Sequence, residues 1–412
     1  MIKKQKLITP LLSVALAFAI GALPTTATAA ENTRIYRDGN GWVQEITGTI
    51  AAGKGLKIAS SEGSIQVQGG SSQNVTYSIK KHVYRTTDEA SARRDMTSFA
   101  VNVSRRGDYV LIEAEGNHSH GRFSVEFNVT VPKETSWVKL ETLGGSVGVN
   151  GIDGSVKAET AGGSISVDKI GGPVLASTQG GSIHAGNVGS DVNLATAGGS
   201  ISVEAIAGHI VANTSGGSVD IGSAKKDISV STAGGSIHVG QCGGSLAAST
   251  AGGTIDIGDV GSNASLDSAG GGIRLVSAKG WVKASTASGP IRLSNLSRGV
   301  VAETAAGPIE VEFTTSRGQF TESHLETAIG DITIYLPSDL GVTVKAAIEV
   351  ANGHGIRSDF PGLKIVTEGG DYGPREVYAE GSLNGGGPIL KVYTTNGNIT
   401  FRKTSDTKTA RK

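Results

Sequence analysis

Residues 196–213, TAGGSISVEAIAGHIVAN, hold one complete unit of a pattern that fills the middle of the chain. Its apolar positions are Ile201, Val203, Ile206, Ile210 and Ala212. Spacing by two within each cluster is the period of a strand, whose side chains alternate between faces. The opening Thr recurs every 18 residues at Thr142, Thr160, Thr178, Thr196, Thr214, Thr232, Thr250, Ser268, Thr286 and Thr304. Three positions after each comes a glycine, from Gly145 to Gly307, and in the first eight copies the residue before it is glycine too. Each unit therefore reads as strand, Gly-Gly turn, strand, turn. A short fixed period with no helix between the strands predicts an all-β parallel β-solenoid, a single-chain β-helix with 18-residue rungs.

Two short strands cannot bury their apolar faces alone, but rungs stacked about 4.8 Å apart share one continuous core, and ten of them make a rod of about 50 Å. The repeat glycines are expected to supply positive φ at each sharp turn. Parity places the Thr column inward, because Val174, Ala176 and Thr178 alternate with Leu175 and Ser177. Stacked Thr hydroxyls are expected to hydrogen-bond from rung to rung, and the same parity speaks against an outward, ice-binding Thr ladder. Cys242 falls where other copies have Ile170, Val188 and Ile206, so it reads as a small buried hydrophobe rather than a reactive thiol.

Outside the repeat the pattern changes. Residues 1–29 read as a signal peptide: Lys3, Lys4 and Lys6 precede the apolar run Leu11 to Leu23, and Ala27-Thr28-Ala29, or equally Thr28-Ala29-Ala30 one residue later, supplies a small-x-small cleavage site. Residues 31–140 read as a β-rich N-terminal capping region. Antiparallel strands are expected around Ile46–Ile50, Leu56–Val67, Val75–Tyr84, Val101–Ile112 and Phe123–Val131, with one short helix in Asp88–Met96 over the open end of the rod. Residues 141–313 are the regular solenoid. Residues 314–403 are an irregular C-terminal solenoid or cap, in which the unit reappears at Thr327 and Thr394. Residues 404–412 read as a disordered tail.

Composition narrows the function. The chain of 412 residues has 61 glycines and zero formal charge. Removing the three leader lysines leaves about −3, which excludes a basic footprint for nucleic acid or anionic lipid. One cysteine excludes a disulfide framework and a Cys-based zinc site. After the leader no apolar run is long enough to span a membrane.

The leader, the β-rich front, the many copies of the Thr196–Val203 motif, and then Ile334–Pro337, Ser358-Asp359-Phe360 and Thr394–Ile399 together resemble a bacterial adhesin-like family. The resemblance covers most of the mature chain. It implies an exported β-solenoid and assigns no defined molecular activity.

Catalytic motifs are poorly supported. Gly144-Gly145-Ser146-Val147-Gly148 has the spacing of a nucleophile elbow but belongs to the first rung, not to a strand-turn-helix. Gly-Gly-Ser-Ile-Ser-Val lacks the carboxylate of a calcium β-roll, so no cofactor is expected. Ten units without an inserted residue leave no loops to wall a polysaccharide-cleaving cleft. Such a cleft would have to use flank carboxylates such as Asp359, Glu368 and Asp371. An outward column places Asp220, His238 and Asp256 side by side, residue types that both suit a divalent metal ion. Its alternative reading is charge alternation, continued by Arg274, Arg292 and Glu310. His118-Ser119-His120 pairs two imidazoles but has no evident third ligand. The expectation is a non-enzymatic, exported protein of the periplasm, cell surface or exterior, binding glycan or an envelope protein through a flat polar face at Ser177, Ala195, Asn213, Ser231 and Ser249. A polysaccharide-active enzyme and a purely structural envelope protein are the alternatives.

Overall fold

The computed structural model describes residues 30–39, 41–86, 88–116, 123–315, 318–369 and 375–404. The leader, His118 to His120, Asp371 and the tail from residue 405 lie outside the described residues. Among the described residues no helix is long and apolar enough to cross a membrane.

Every 18-residue unit forms one rung. A strand ending in the repeat Thr, such as Ile210–Thr214, belongs to sheet 1. After the Gly-Gly corner a second strand, such as Val219–Ala224, belongs to sheet 2. Each residue pairs in parallel with the residue 18 positions later, as Val203 does with Ile221 and Leu194 with Ala212. Inward side chains form one continuous core along the rod, including Ile201, Val203, Ile206, Ile210 and Ala212. A fully buried Ile or Val contributes about 1.5–3 kcal/mol. Burial on both inner faces is possible only because the neighbouring rungs cover it.

Cys242 sits in this core between Ala224 and Val260. Burial pushes its thiol pKa up.

The corner differs from expectation. Among the repeat glycines only Gly289 and Gly307 have positive φ, at 133° and 145°, and both follow a non-glycine residue, Ser288 or Ala306. The earlier copies need glycine for a different reason, which is contact between rungs. A Cβ on Gly199 would lie 2.1 Å from the carbonyl oxygen of Gly181, whereas one on Gly198 meets nothing closer than 3.5 Å. The second glycine of each pair thus lets consecutive corners touch.

The Thr column is buried, as parity required. Its rung-to-rung bonds go to backbone rather than to another hydroxyl. Thr214 Oγ1 donates to Gly199 O at 2.8 Å and accepts from Gly217 N at 3.2 Å. The donation recurs from Thr142 on Gly63 to Thr394 on Gly330, so one side chain per rung staples successive corners.

Rungs are not confined to residues 141–313. Leu56–Val67, expected as one antiparallel strand, is two strands, Gly55–Ser60 and Ser64–Gly70, which together form a rung. That rung lies in parallel between rung 109–132 and rung 137–152, although both come later in the chain. The C-terminal end repeats the arrangement in reverse. Strands Ile389–Asn396 and Ile399–Lys403 insert in parallel between rung 323–336 and rung 342–358. At each end a rung distant in sequence is therefore locked inside the stack.

Antiparallel strands close the outer edges. Ala30–Asp38, Gly41–Ala51 and Asn74–Val83 extend sheet 2 at the N-terminal end, and Phe99–Arg106 ends sheet 1 there. The helix Glu89–Thr97, capped by Asp88, packs Ala92 and Met96 against Val83, Ile35, Trp42 and Phe123. Covering open ladder groups protects the rod from edge-to-edge association. The 23-residue step from Thr304 to Thr327 accommodates Phe320, which packs edge-on against Phe313 with ring centroids 5.3 Å apart.

Candidate binding face

The register places Asp220, His238 and Asp256 on successive strands of sheet 2. His238 Nδ1 lies 3.9 Å from Asp256, which also faces Arg274 at 3.6 Å. Asp256 is thus shared by two basic side chains, and Arg292 pairs with Glu310 at 3.8 Å further along. Among the described residues no cluster of three His, Cys, Asp or Glu could hold a metal ion. Gly144–Gly148 is a rung corner leading into strand Val147–Ile152, with no helix after it. Asp359 accepts from the Lys403 amide at 3.2 Å, and Glu368 accepts from the Tyr378 hydroxyl. Both carboxylates serve the C-terminal cap.

Sheet 1 carries the deeper relief. Ser177, Ala195, Asn213, Ser231 and Ser249 point outward from it, as their parity predicted. Two cavities of about 590 Å³ each run along the same face and meet at His209 and Val211. Trp137 lines the far end of one and Trp281 the far end of the other. Further depressions flank them on sheet 1, one of about 390 Å³ beside Glu141 and Glu159 and one of about 710 Å³ beside His324 and Tyr393.

The two tryptophans share one column of the rung register, 144 residues or eight rungs apart. Eight steps span about 38 Å. The indole of Trp137 lies across the neighbouring rung, because Gly55 there has no side chain: a Cβ would sit 2.0 Å from Trp137 Cε2. Tyr109 completes this aromatic platform, with ring centroids 5.4 Å apart. Trp281 is 47% exposed. Sequence reasoning missed both residues, yet their separation by a multiple of 18 was the available clue.

Between the tryptophans the face repeats every second rung. Leu175, Val211 and Ala247 are apolar, while Asn193, Ser229 and Ser265 on the intervening rungs are polar. The corner beside them alternates in step. Asp191, Asp227 and Asn263 accept the backbone N–H of His209, Ser245 and Trp281 at 2.8, 2.7 and 3.1 Å. Each acceptor tucks against a glycine, Gly208, Gly244 or Gly280, where a Cβ would stand 2.1–2.2 Å from the side-chain oxygen. The His209 N–H holds the Asp191 carboxyl below the usual carboxylate range. A 36-residue period is thus superimposed on the 18-residue one.

Charge stands at the ends of the groove and along its wall, where Asp191, His209 and Asp227 lie, His209 Nδ1 being 3.4 Å from Asp227. Lys139 and Lys157 are neutralised by Glu141 and Glu159 at 2.6 and 3.1 Å. Lys283 follows Ser265 at the other end, and the floor from Leu175 to Ser265 carries no charged side chain.

Fold and face together define a single-chain parallel β-solenoid with one grooved side. The chain belongs to the Toastrack DUF4097 family, whose model matches residues 53–355. That match starts at the rung 55–70 and stops before the inserted rung 389–403. Two solved structures are similar to it. One is a candidate cell adhesion protein from Clostridium sporogenes ATCC 15579, 10% identical, with 92% of this chain and 100% of that one covered and a TM-score of 0.18. The other is a candidate adhesin from Bacteroides fragilis NCTC 9343, 12% identical, with 87% and 96% covered and a TM-score of 0.19. No curated protein matches the sequence.

Proposed function

We propose that this chain is an exported, adhesin-like binding protein of the bacterial envelope or cell surface, non-catalytic, and that it works through the outer face of sheet 1. The observation that carries this reading is the run of cavities along that face from Glu141 to Tyr393. The leader pattern supports export, and ten units without an inserted residue favour a binding surface over a walled catalytic cleft. A rigid rod with shared core packing presents such a surface without a large ordering cost on binding.

The test is retention of the mature protein on envelope and whole-cell preparations. Asn213→Arg with Ser231→Arg on sheet 1 should abolish retention. Ser202→Arg with Ser166→Arg on sheet 2 should leave it intact. Equal behaviour of the two double variants, or no retention of the parent protein, would overturn the reading.

A further inference from the structure

Resting on that binding-face reading, we infer that the groove between Trp137 and Trp281 takes an extended, uncharged, β-1,4-linked glycan. Three observations converge on this class of ligand. Flat aromatic faces stand at both ends: the Trp137 indole laid over Gly55 beside Tyr109, and the half-exposed Trp281. The axial C–H groups of a pyranose pack on such faces, while its hydroxyls remain available to polar neighbours.

The second observation is the period. The chemistry of the floor repeats every two rungs, about 9.6 Å from the strand spacing. In an extended β-1,4-linked chain successive sugars are turned by about half a revolution, so like edges recur once per disaccharide at nearly the same interval. Leu175, Val211 and Ala247 would then meet equivalent apolar edges, and Asn193, Ser229 and Ser265 equivalent hydroxyl edges. Both tryptophans fall on one phase of this alternation, four two-rung steps apart. Chains with α-1,4 or β-1,3 linkages coil and lose that register.

Charge is the third. The floor from Leu175 to Ser265 carries no Lys or Arg, and the carboxylates Asp191 and Asp227 line the groove beside it, so a nucleic acid or other polyanion is disfavoured. A peptide strand would instead add to a sheet edge, and the edges lie at the ends of the rod, away from this groove.

The experiment titrates chitohexaose, cellohexaose, maltohexaose and laminarihexaose into the mature chain by calorimetry and tryptophan fluorescence. Of the three tryptophans, Trp42 is packed in the N-terminal cap, so the other two report the groove. A β-1,4 hexaose should bind, shift the emission and bind more tightly than its trimer. Trp281→Ala should weaken binding on the order of tenfold, the loss of one stacking face. Val211→Arg should abolish it, and Arg274→Ala on sheet 2 should change nothing. Equal binding of maltohexaose would overturn the period match. Failure of both β-1,4 hexaoses, with envelope retention still dependent on Asn213 and Ser231, would overturn the glycan and leave the binding face standing. Loss of envelope retention as well would overturn both.

Discussion

Gly198 and Gly199 are adjacent in one corner, yet alanine should have opposite consequences at the two. At Gly199 the new Cβ would lie 2.1 Å from Gly181 O, 2.4 Å from Gly181 C and 2.6 Å from Ser182 N. Non-bonded heavy atoms settle at about 3.5 Å or more, so the corner must rise by roughly 1 Å against a close-packed neighbour. That displacement loosens the Gly199 amide bond to Thr196 Oγ1 and the Ser200 amide bond to Ser182 Oγ, each 3.2 Å long. Two bonds at about 1 kcal/mol each, plus poorer packing beneath Ile201, put the loss at about 3–5 kcal/mol. At Gly198 the nearest atom is 3.5 Å away, and alanine reduces the freedom of the unfolded chain. The expected change there is within about 1 kcal/mol, towards greater stability. Urea denaturation followed by circular dichroism measures both, with the slope checked because long repeat arrays need not unfold in one step. Equal losses at the two positions would refute the rung-contact explanation of the second glycine.

Other expectations concern the staples and the cap. Thr214→Val removes a donor from Gly199 O and an acceptor from Gly217 N at nearly constant volume, and should cost about 2 kcal/mol in the same denaturation experiment. Lys81, 5% exposed, donates to the carbonyls of Met96 and Phe99, and burial lowers its pKa from 10.5 to about 8. Below pH 8 both states hold the proton and the burial penalty is complete. Above it the folded state releases the proton first, so stability rises towards the ordinary lysine range. Between pH 7 and pH 9.5 the parent should gain up to about 2 kcal/mol relative to Lys81→Met, and superimposable pH profiles would contradict this.

Much of the fold was legible because the repeat is strict. Val192 and Leu194 announce a strand by parity, and Thr196 shows its inward side by the same rule. The corner glycines were misread for a physical reason. A Gly-Gly pair is compatible with positive φ, and only the stacked neighbour reveals that Gly199 is required for want of space. The locked rungs 55–70 and 389–403 were illegible as such, because pairing between distant segments leaves no period in the chain. Trp137, Trp281 and the alternation of Leu175 with Asn193 were present in the sequence. The stronger 18-residue pattern concealed them, since their order emerges only when outward positions are read two rungs at a time.

Distances between labelled rungs test the stacking most directly. With Cys242→Ser as background, spin labels at Ser177 and Ser249 should lie about 19 Å apart between backbones, and labels at Ser177 and Ser285 about 29 Å, a constant 4.8 Å per 18 residues. Double electron–electron resonance should return two narrow distributions whose means differ by about 10 Å. Distances that fail to grow with the number of intervening units would contradict the parallel stack and the groove built upon it.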